Sequence, residues 1–251
     1  MEQLRAALRR YVVPRRHTAF LAAIVALFIV RSFIGYNRIT TAAFSIALLL
    51  LLLFALYVVE IDELLGERQA LLAQTRRHTI IGWALALPAI AERVAIVSVP
   101  SRALHLAGLM WWLLLFSFIT WSQLRSLLKQ KNITSETISM SISAYLLIGF
   151  TWGLFYILLH HLQPSAFSFG GSTSPKSGER KIFPLFFYFS LSTLSTIGCG
   201  DISPITMQAR YAVVSESITG QFYLAILVAR IVGMQMSHVA THHRTASQES
   251  Q

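Results

Sequence analysis

The chain has 251 residues, 55% of them hydrophobic and 13% charged, with a mean hydropathy of +0.58. A soluble domain carries about 25% charged residues, and neither a soluble core nor a disordered chain accommodates this much apolar surface, so the composition leaves an integral membrane protein. A net charge of +10 points to nucleic acid in a soluble protein; here cationic cytoplasmic loops account for it, and no nucleic-acid partner is expected.

Residues 1–17 hold five arginines and one acid. Leu4, Ala7 and Leu8 recur at helical spacing. The stretch reads either as an amphipathic interfacial helix ended by Pro14 or as a basic anchor that keeps the N-terminus in the cytoplasm. No cleaved signal peptide is expected, because Arg31 follows the apolar run 18–30 and no small-residue cleavage pattern does. Residues 18–125 predict four spans near the ~20 residues that cross a bilayer. They are Thr18–Tyr36, Ile39–Val59 with six consecutive leucines from Leu48 to Leu53, Thr79–Val99 interrupted by Glu92 and Arg93, and Leu104–Trp121. Charge at membrane depth is costly unless paired, so Glu92 is expected to pair with Arg31 or Arg93, in a helix–helix contact or a sensor pocket. Trp111, Trp112 and Trp121 form either a binding cluster or ordinary packing. The fourth span contains no Lys or Arg between its ends, with Arg125 beyond it, so it lacks the repeated arginines of a voltage sensor.

Residues 138–235 predict two further spans, Ile138–Leu162 and Ala209–Met234. Between them lies an apolar block, Ile182–Leu194, too short to span and leading into a glycine-rich stretch. That pattern fits a re-entrant loop, tolerated at membrane depth where protein or a water-filled cavity surrounds it. Segment 163–181 reads as a solvated outer loop. Residues 236–251 form a short polar tail, with no ligand-binding module expected after the last span. Its His238, His242 and His243 read as solvated side chains or as a metal or pH cluster. Twelve Lys and Arg fall on one side of these spans and five on the other, which places both termini in the cytoplasm. The sequon at Asn132 then lies on the cytoplasmic side and is discounted.

The chemistry concentrates in Thr196-Ile197-Gly198-Cys199-Gly200-Asp201. Two glycines separated by one residue let a short segment turn its carbonyls to one side. A ring of such carbonyls replaces the hydration shell of an alkali cation, and Thr196 adds a hydroxyl. A half-length helix ending there favours a cation through its dipole. Gly149 and Gly153 suggest close packing of the fifth span on the sixth. Glu216 either braces the pore helix or lines the wall. Arg230 is expected among lipid headgroups. No nucleophile–base constellation or metal-ligand spacing occurs, so no enzyme is expected.

TIGCGD resembles the T-[VI]-G-[YF]-G-D signature of the tetrameric potassium channel family, whose filter is the best-known case of selection by backbone carbonyls. Asp201 to Pro204 resembles the family's exit from the filter. The run from Gly220 to Gly233 resembles the inner helix of its bacterial two-helix-pore members, and Ala144 to Trp152 their outer helix. The resemblance covers about 138–235. It implies an all-α membrane protein with six spans and a re-entrant pore loop. One pore loop per chain implies a homotetramer around a cyclic axis, in the bacterial inner membrane. The function implied is passive potassium flux. Ser195, Thr196, Ile197, Gly198 and Cys199 would bind K⁺, and Gly200 would permit the exit turn. Tyr188, Ser192, Asp201 and Glu216 would support the filter. Gly220 would be a gating hinge, with Gln221, Leu224, Val228 and Val232 lining the cavity and gate. Membrane lipids, K⁺ and further copies of the chain are the expected partners. No covalent cofactor and no soluble partner are expected.

The signature aromatic is replaced by Cys199, which is too small to brace a filter as an aromatic does. Phe187, Tyr188 and Phe189 are expected to compensate in part. Two pore readings follow, a potassium filter that tolerates the change or a cation pore of weaker selectivity. A third reading is a non-conducting membrane sensor or scaffold with a vestigial pore.

Overall fold

The computed structural model describes residues 15–33, 46–55, 57, 80–88, 91, 102–130, 134–170 and 182–249. In chain order these form α1 (Arg16–Phe33), helical stretches at Ile46–Ala55 and 80–88, α2 (Arg102–Lys129) and α3 (Ser135–Leu162). A 3-10 turn (Pro164–Ala166), β1 (Phe167–Phe169), α4 (Ile182–Leu194), β2 (Ile202–Pro204) and α5 (Met207–Glu249) follow. Among the described residues three helices are long and apolar enough to cross a membrane: Arg102–Lys129, Ser135–Leu162 and Met207–Arg230. The described parts of the first and second expected spans, Arg16–Val30 and Ile46–Ala55, are shorter apolar helices. Glu92, Arg93, Asn132 and residues 1–14 lie outside the described residues, as do the side chains of Arg31, His238, His242 and His243.

α3 is the hub, contacting α1, α2, α4 and α5. Its start is set by a reciprocal cap: Thr137 N–H donates to Thr134 Oγ1 at 3.2 Å, and Thr134 N–H donates to Thr137 Oγ1 at 3.3 Å. Two orphan donors of the first turn are thereby satisfied. That leaves Glu136 free to cap a second helix. Its Oε2 accepts the N–H groups of His17 at 2.9 Å and Thr18 at 3.4 Å, and its Oε1 accepts the Thr18 hydroxyl. A carboxylate at a helix N-terminus meets both the orphan amides and the positive end of the dipole. The first described helix is thus fastened to the foot of α3.

The interior is apolar and continuous. Phe20, Ile24, Leu52, Leu115, Phe116, Ile119, Leu147, Leu154 and Ile157 are buried in one cluster that runs on to Phe186, Phe187 and Phe189 of α4. Trp112 is buried, its ring 6.4 Å from that of Phe116, whereas Trp121 is 64% exposed. The tryptophans therefore form no single binding cluster.

Two expectations are corrected. Gly149 and Gly153 do not receive the last helix; they receive α4. A Cβ at Gly149 would lie 2.6 Å from Leu191 Cδ2, and one at Gly153 2.5 Å from Phe187 Cδ1 and 3.3 Å from the Phe186 carbonyl. The small residues admit a third helix that the two-span reading placed elsewhere. The start of segment 163–181 is also no solvated loop. Ala166 and Phe167 are buried, and β1 pairs antiparallel with β2 in the register Phe167–Pro204, Ser168–Ser203 and Phe169–Ile202. Phe167 and Phe169 alternate with Ser168, the period of a half-buried strand, so this all-helical bundle carries one two-stranded ribbon.

A leucine at position 153 would press on backbone as well as on a ring, whereas an alanine at 149 meets only the movable end of Leu191. Gly153→Leu is expected to destabilise by about 1–3 kcal/mol. It should lower the thermal midpoint of the detergent-solubilised protein clearly more than Gly149→Ala, measured by fluorescence-monitored unfolding.

Candidate functional site

α4 holds 13 residues, about 20 Å of helix at 1.5 Å per residue, well short of a bilayer core of about 30 Å. Pro184 sits in its first turn, where a missing N–H costs nothing. Its outward side is gripped by aromatic rings. Phe150 lies 5.2 Å from Phe187, Tyr156 lies 5.3 Å from Phe189, and Phe167 of β1 lies 4.9 Å from Phe186, each pair in edge-to-face geometry. Such pairs favour this arrangement electrostatically.

The inner end of α4 is closed by hydrogen bonds. Thr196 N–H donates to Thr193 O at 2.9 Å and Ile197 N–H to Ser192 O at 2.8 Å. This is the pairing of a Schellman cap, which needs a left-handed residue after the helix. Thr196 takes that position with φ +60°. A β-branched residue there costs about 1–2 kcal/mol relative to glycine, and such strain is found where function requires it. Gly198 N–H also donates to Ser192 O, at 3.2 Å. Leu191 O accepts Ser195 N–H, and Leu194 O accepts the Tyr145 hydroxyl at 3.1 Å. Every one of the last four carbonyls of α4 has a donor.

The alternation continues outward. Gly198 has φ +58° and Gly200 φ +79°, while Ile197 and Cys199 between them keep negative φ. Alternating hands gather successive N–H groups on one side, here around the Ser192 and Thr193 carbonyls. The carbonyls of Thr196, Ile197, Gly198 and Cys199 accept no hydrogen bond among the described residues, and Ile197 is 70% exposed. The chain thus presents a short row of free carbonyl oxygens, able to coordinate a hard cation. Ser195 stands apart from the row: its carbonyl accepts the Thr196 hydroxyl at 2.7 Å and its own hydroxyl donates to Leu191 O.

Beyond Gly200 the exit is held by the ribbon. Gly170 N–H donates to Asp201 O and Ile205 N–H to Ala166 O, both at 2.8 Å. Tyr188 Oη donates to Asp201 Oδ1 at 3.4 Å. Of the three aromatics expected to compensate for Cys199, Tyr188 reaches the exit beside it through Asp201. Phe187 instead packs on Phe150 and at Gly153. Phe189 lines a recess of about 370 Å³ behind the carbonyl row, together with Ser192, Thr193, Cys199, Val213 and Ser217.

α5 passes behind the cap. Gly220 is buried against α4, where an added Cβ would collide with Leu194 O. The helix runs unbroken through this glycine, whose visible role is close approach. Gln221 Nε2 donates to Thr196 Oγ1 at 3.4 Å, and Leu224, Val228 and Val232 lie exposed further along the helix. Glu216 is 0% exposed; Tyr156 Oη donates to its Oε2 at 2.6 Å, and its Oε1 meets the Ser190 hydroxyl of α4. Sequence reading missed Ser190, Tyr145, Tyr156 and β1. A serine alone in FFYFSL and a glutamate alone in the last span were the available signal, since isolated polar groups at membrane depth must find each other.

Arg230 forks onto the end of α2, donating to Leu127 O at 2.7 Å, to Leu128 O at 2.9 Å and to Gln130 O. Last-turn carbonyls carry the negative end of the helix dipole, and a planar guanidinium can reach several at once.

Residues 144–236 match a family model described as an ion channel. The matched segment begins in α3, includes α4, the carbonyl row and both strands of the ribbon, and ends within α5. That match indicates an ion channel of the membrane, carried by the part of the chain that holds the carbonyl row. No curated protein and no solved structure matches the chain.

A lysine at 230 lacks the two separated nitrogens with which the guanidinium reaches Leu127, Leu128 and Gln130. Arg230→Lys is expected to speed amide exchange across 127–130 by at least about tenfold, the effect of one lost charge-assisted hydrogen bond, while exchange in α4 stays unchanged. Hydrogen-exchange mass spectrometry of the solubilised protein measures both.

Proposed function

We propose that the chain is the subunit of a homotetrameric potassium channel of the bacterial inner membrane, with both termini cytoplasmic. The observation that carries this reading is the row of partnerless carbonyls from Thr196 to Cys199, produced by alternating φ and backed by amides turned to α4. Bare carbonyls at membrane depth cannot face lipid, so other copies must enclose them around water and ions. Four rows make the cage that replaces a potassium hydration shell. The single chain also leaves Tyr211, Phe222 and Ile226 of α5 strongly exposed, an apolar face for neighbouring copies or lipid tails.

Ions then move passively, with Thr196, Ile197, Gly198 and Cys199 as ligands and Gln221 poised at the inner entrance. Leu224, Val228 and Val232 form the cavity wall, and a ring of such side chains closes by dewetting. The resemblance around TIGCGD supports potassium rather than another cation. The recess at Cys199 favours a second reading, a cation pore of weaker selectivity, because the cysteine side chain is too small to fill that space as an aromatic would.

Purified protein in liposomes is expected to pass K⁺, with flux blocked by Ba²⁺ and abolished by Gly198→Asp. Bi-ionic reversal potentials then separate the readings: equal Na⁺ and K⁺ permeability overturns potassium selectivity, and absence of flux overturns the channel.

Voltage dependence is expected to be weak. α2 carries Arg102 at its start and Arg125 and Lys129 near its end, with no cation between, whereas a sensor needs several gating charges within the span. Steep activation in symmetric salt would overturn this.

A further inference from the structure

Five oxygen atoms meet where α3, α4 and α5 touch. Tyr156 Oη lies 2.6 Å from Glu216 Oε2, Ser190 Oγ lies 2.6 Å from the Gly149 carbonyl, and Ser190 Oγ also contacts Glu216 Oε1. Taken as three two-centre bonds, each with its own donor hydrogen, these contacts require three protons. The two hydroxyls bring one each. Tyr156 donates its hydroxyl hydrogen bond to Glu216 Oε2 and keeps the proton. The Gly149 carbonyl has none to give, so the Ser190 proton points there. The Ser190–Glu216 contact is then left for the carboxyl to supply. An ionised Glu216 would instead set two oxygens with only lone pairs against each other.

Resting on the channel reading above, we infer that Glu216 is held as a neutral carboxylic acid whose proton fastens the pore helix to the two helices behind it. The chain of donors runs from Glu216 Oε1 to Ser190 Oγ and on to Gly149 O. The surroundings agree. The side chain is fully buried. The titratable groups facing it are Tyr156 and, more distantly, Tyr145, both from α3. α4 presents Ser190, and no cation among the described residues pairs with it. An unpaired buried charge is far costlier than a hydrogen-bonded neutral acid. Ser190 lies one turn before Leu194, so its anchor sets where α4 ends and where the carbonyl row begins. Glu216 is thus a positioning residue for the filter.

The test uses the full chain in liposomes, reading the K⁺/Na⁺ permeability ratio and the infrared carbonyl stretch of a protonated carboxyl. Glutamine reproduces the pattern of a neutral acid: its amide N–H donates to Ser190 and its carbonyl accepts from Tyr156. Glu216→Gln is expected to keep the ratio within about twofold, whereas Glu216→Ala and Ser190→Ala lower it about tenfold, the effect of one buried hydrogen bond. The protonated-carboxyl band should be present in the parent at neutral pH and absent in Glu216→Gln. A glutamine variant as unselective as the alanine variant, or a band unchanged by Glu216→Gln, overturns the inference. If Glu216→Gln does not assemble, Ser190→Ala should shift the band, and an unshifted band overturns the inference. If the parent is unselective or does not conduct, the potassium reading fails, and the infrared band still decides the protonation of Glu216.

Discussion

A helix that stops inside a membrane protein leaves four backbone carbonyls without intrahelical partners, in surroundings that punish every unsatisfied one. The geometry around the end of α4 is the answer to that constraint at Leu194. Ser192 and Thr193 take the amides of the following residues, Leu191 takes Ser195, and Leu194 takes a tyrosine hydroxyl from α3. The amides that satisfy Ser192 and Thr193 belong to Thr196, Ile197 and Gly198, and their own carbonyls are left to face the other way. The cap and the candidate ion ligands are two sides of one backbone segment. The strained φ of Thr196 belongs to the same solution, because a left-handed residue is required where the hydroxyl-bearing threonine stands.

That arrangement explains how a cysteine can occupy position 199. The row is held from its amide side, by Ser192, and from its exit, by β1 and the Tyr188–Asp201 contact. The aromatic support has moved outward: it seats α4 against α3 and β1 instead of propping the row directly. Rings stacked at Phe150, Tyr156 and Phe167 fix the helix, and the helix fixes the loop. What remains behind the loop is a recess walled by Phe189 and by small polar residues such as Ser192, Thr193 and Ser217.

Much of this was legible in the sequence. Hydropathy and length placed the starts of α2, α3 and α5 within a few residues, and the short apolar block 182–194 matches α4, whereas α2 and α5 run well past the expected ends at Trp121 and Met234. The alternate glycines announced the backbone hand at 198 and 200. Other features were hidden because they depend on partners far along the chain. The G-x-x-x-G pattern states that something packs closely, not which helix does. β1 is three residues inside a Gly- and Ser-rich stretch, and its strand character exists only through pairing with β2, some 35 residues later. Arg230 lies 103 residues from its first acceptor, and nothing local distinguishes an arginine at a helix end that meets carbonyls from one that meets phosphate. Thr196 gave no warning of its positive φ, because its propensity argues against it and the helix cap overrides propensity.

The seating of α4 also has a direction in time. Its partners in α3, including Gly149, Gly153 and the rings at Phe150 and Tyr156, are already made when α4 is synthesised. Glu216 follows Ser190 by 26 residues, an interval of about one to five seconds at common rates of synthesis. During that interval α4 can rest on α3 and β1, but its fastening from behind does not yet exist. Gly220, which meets Leu194 at the cap, arrives four residues later still. The contacts that hold the end of α4 from α5 are therefore the last of its partners to be synthesised.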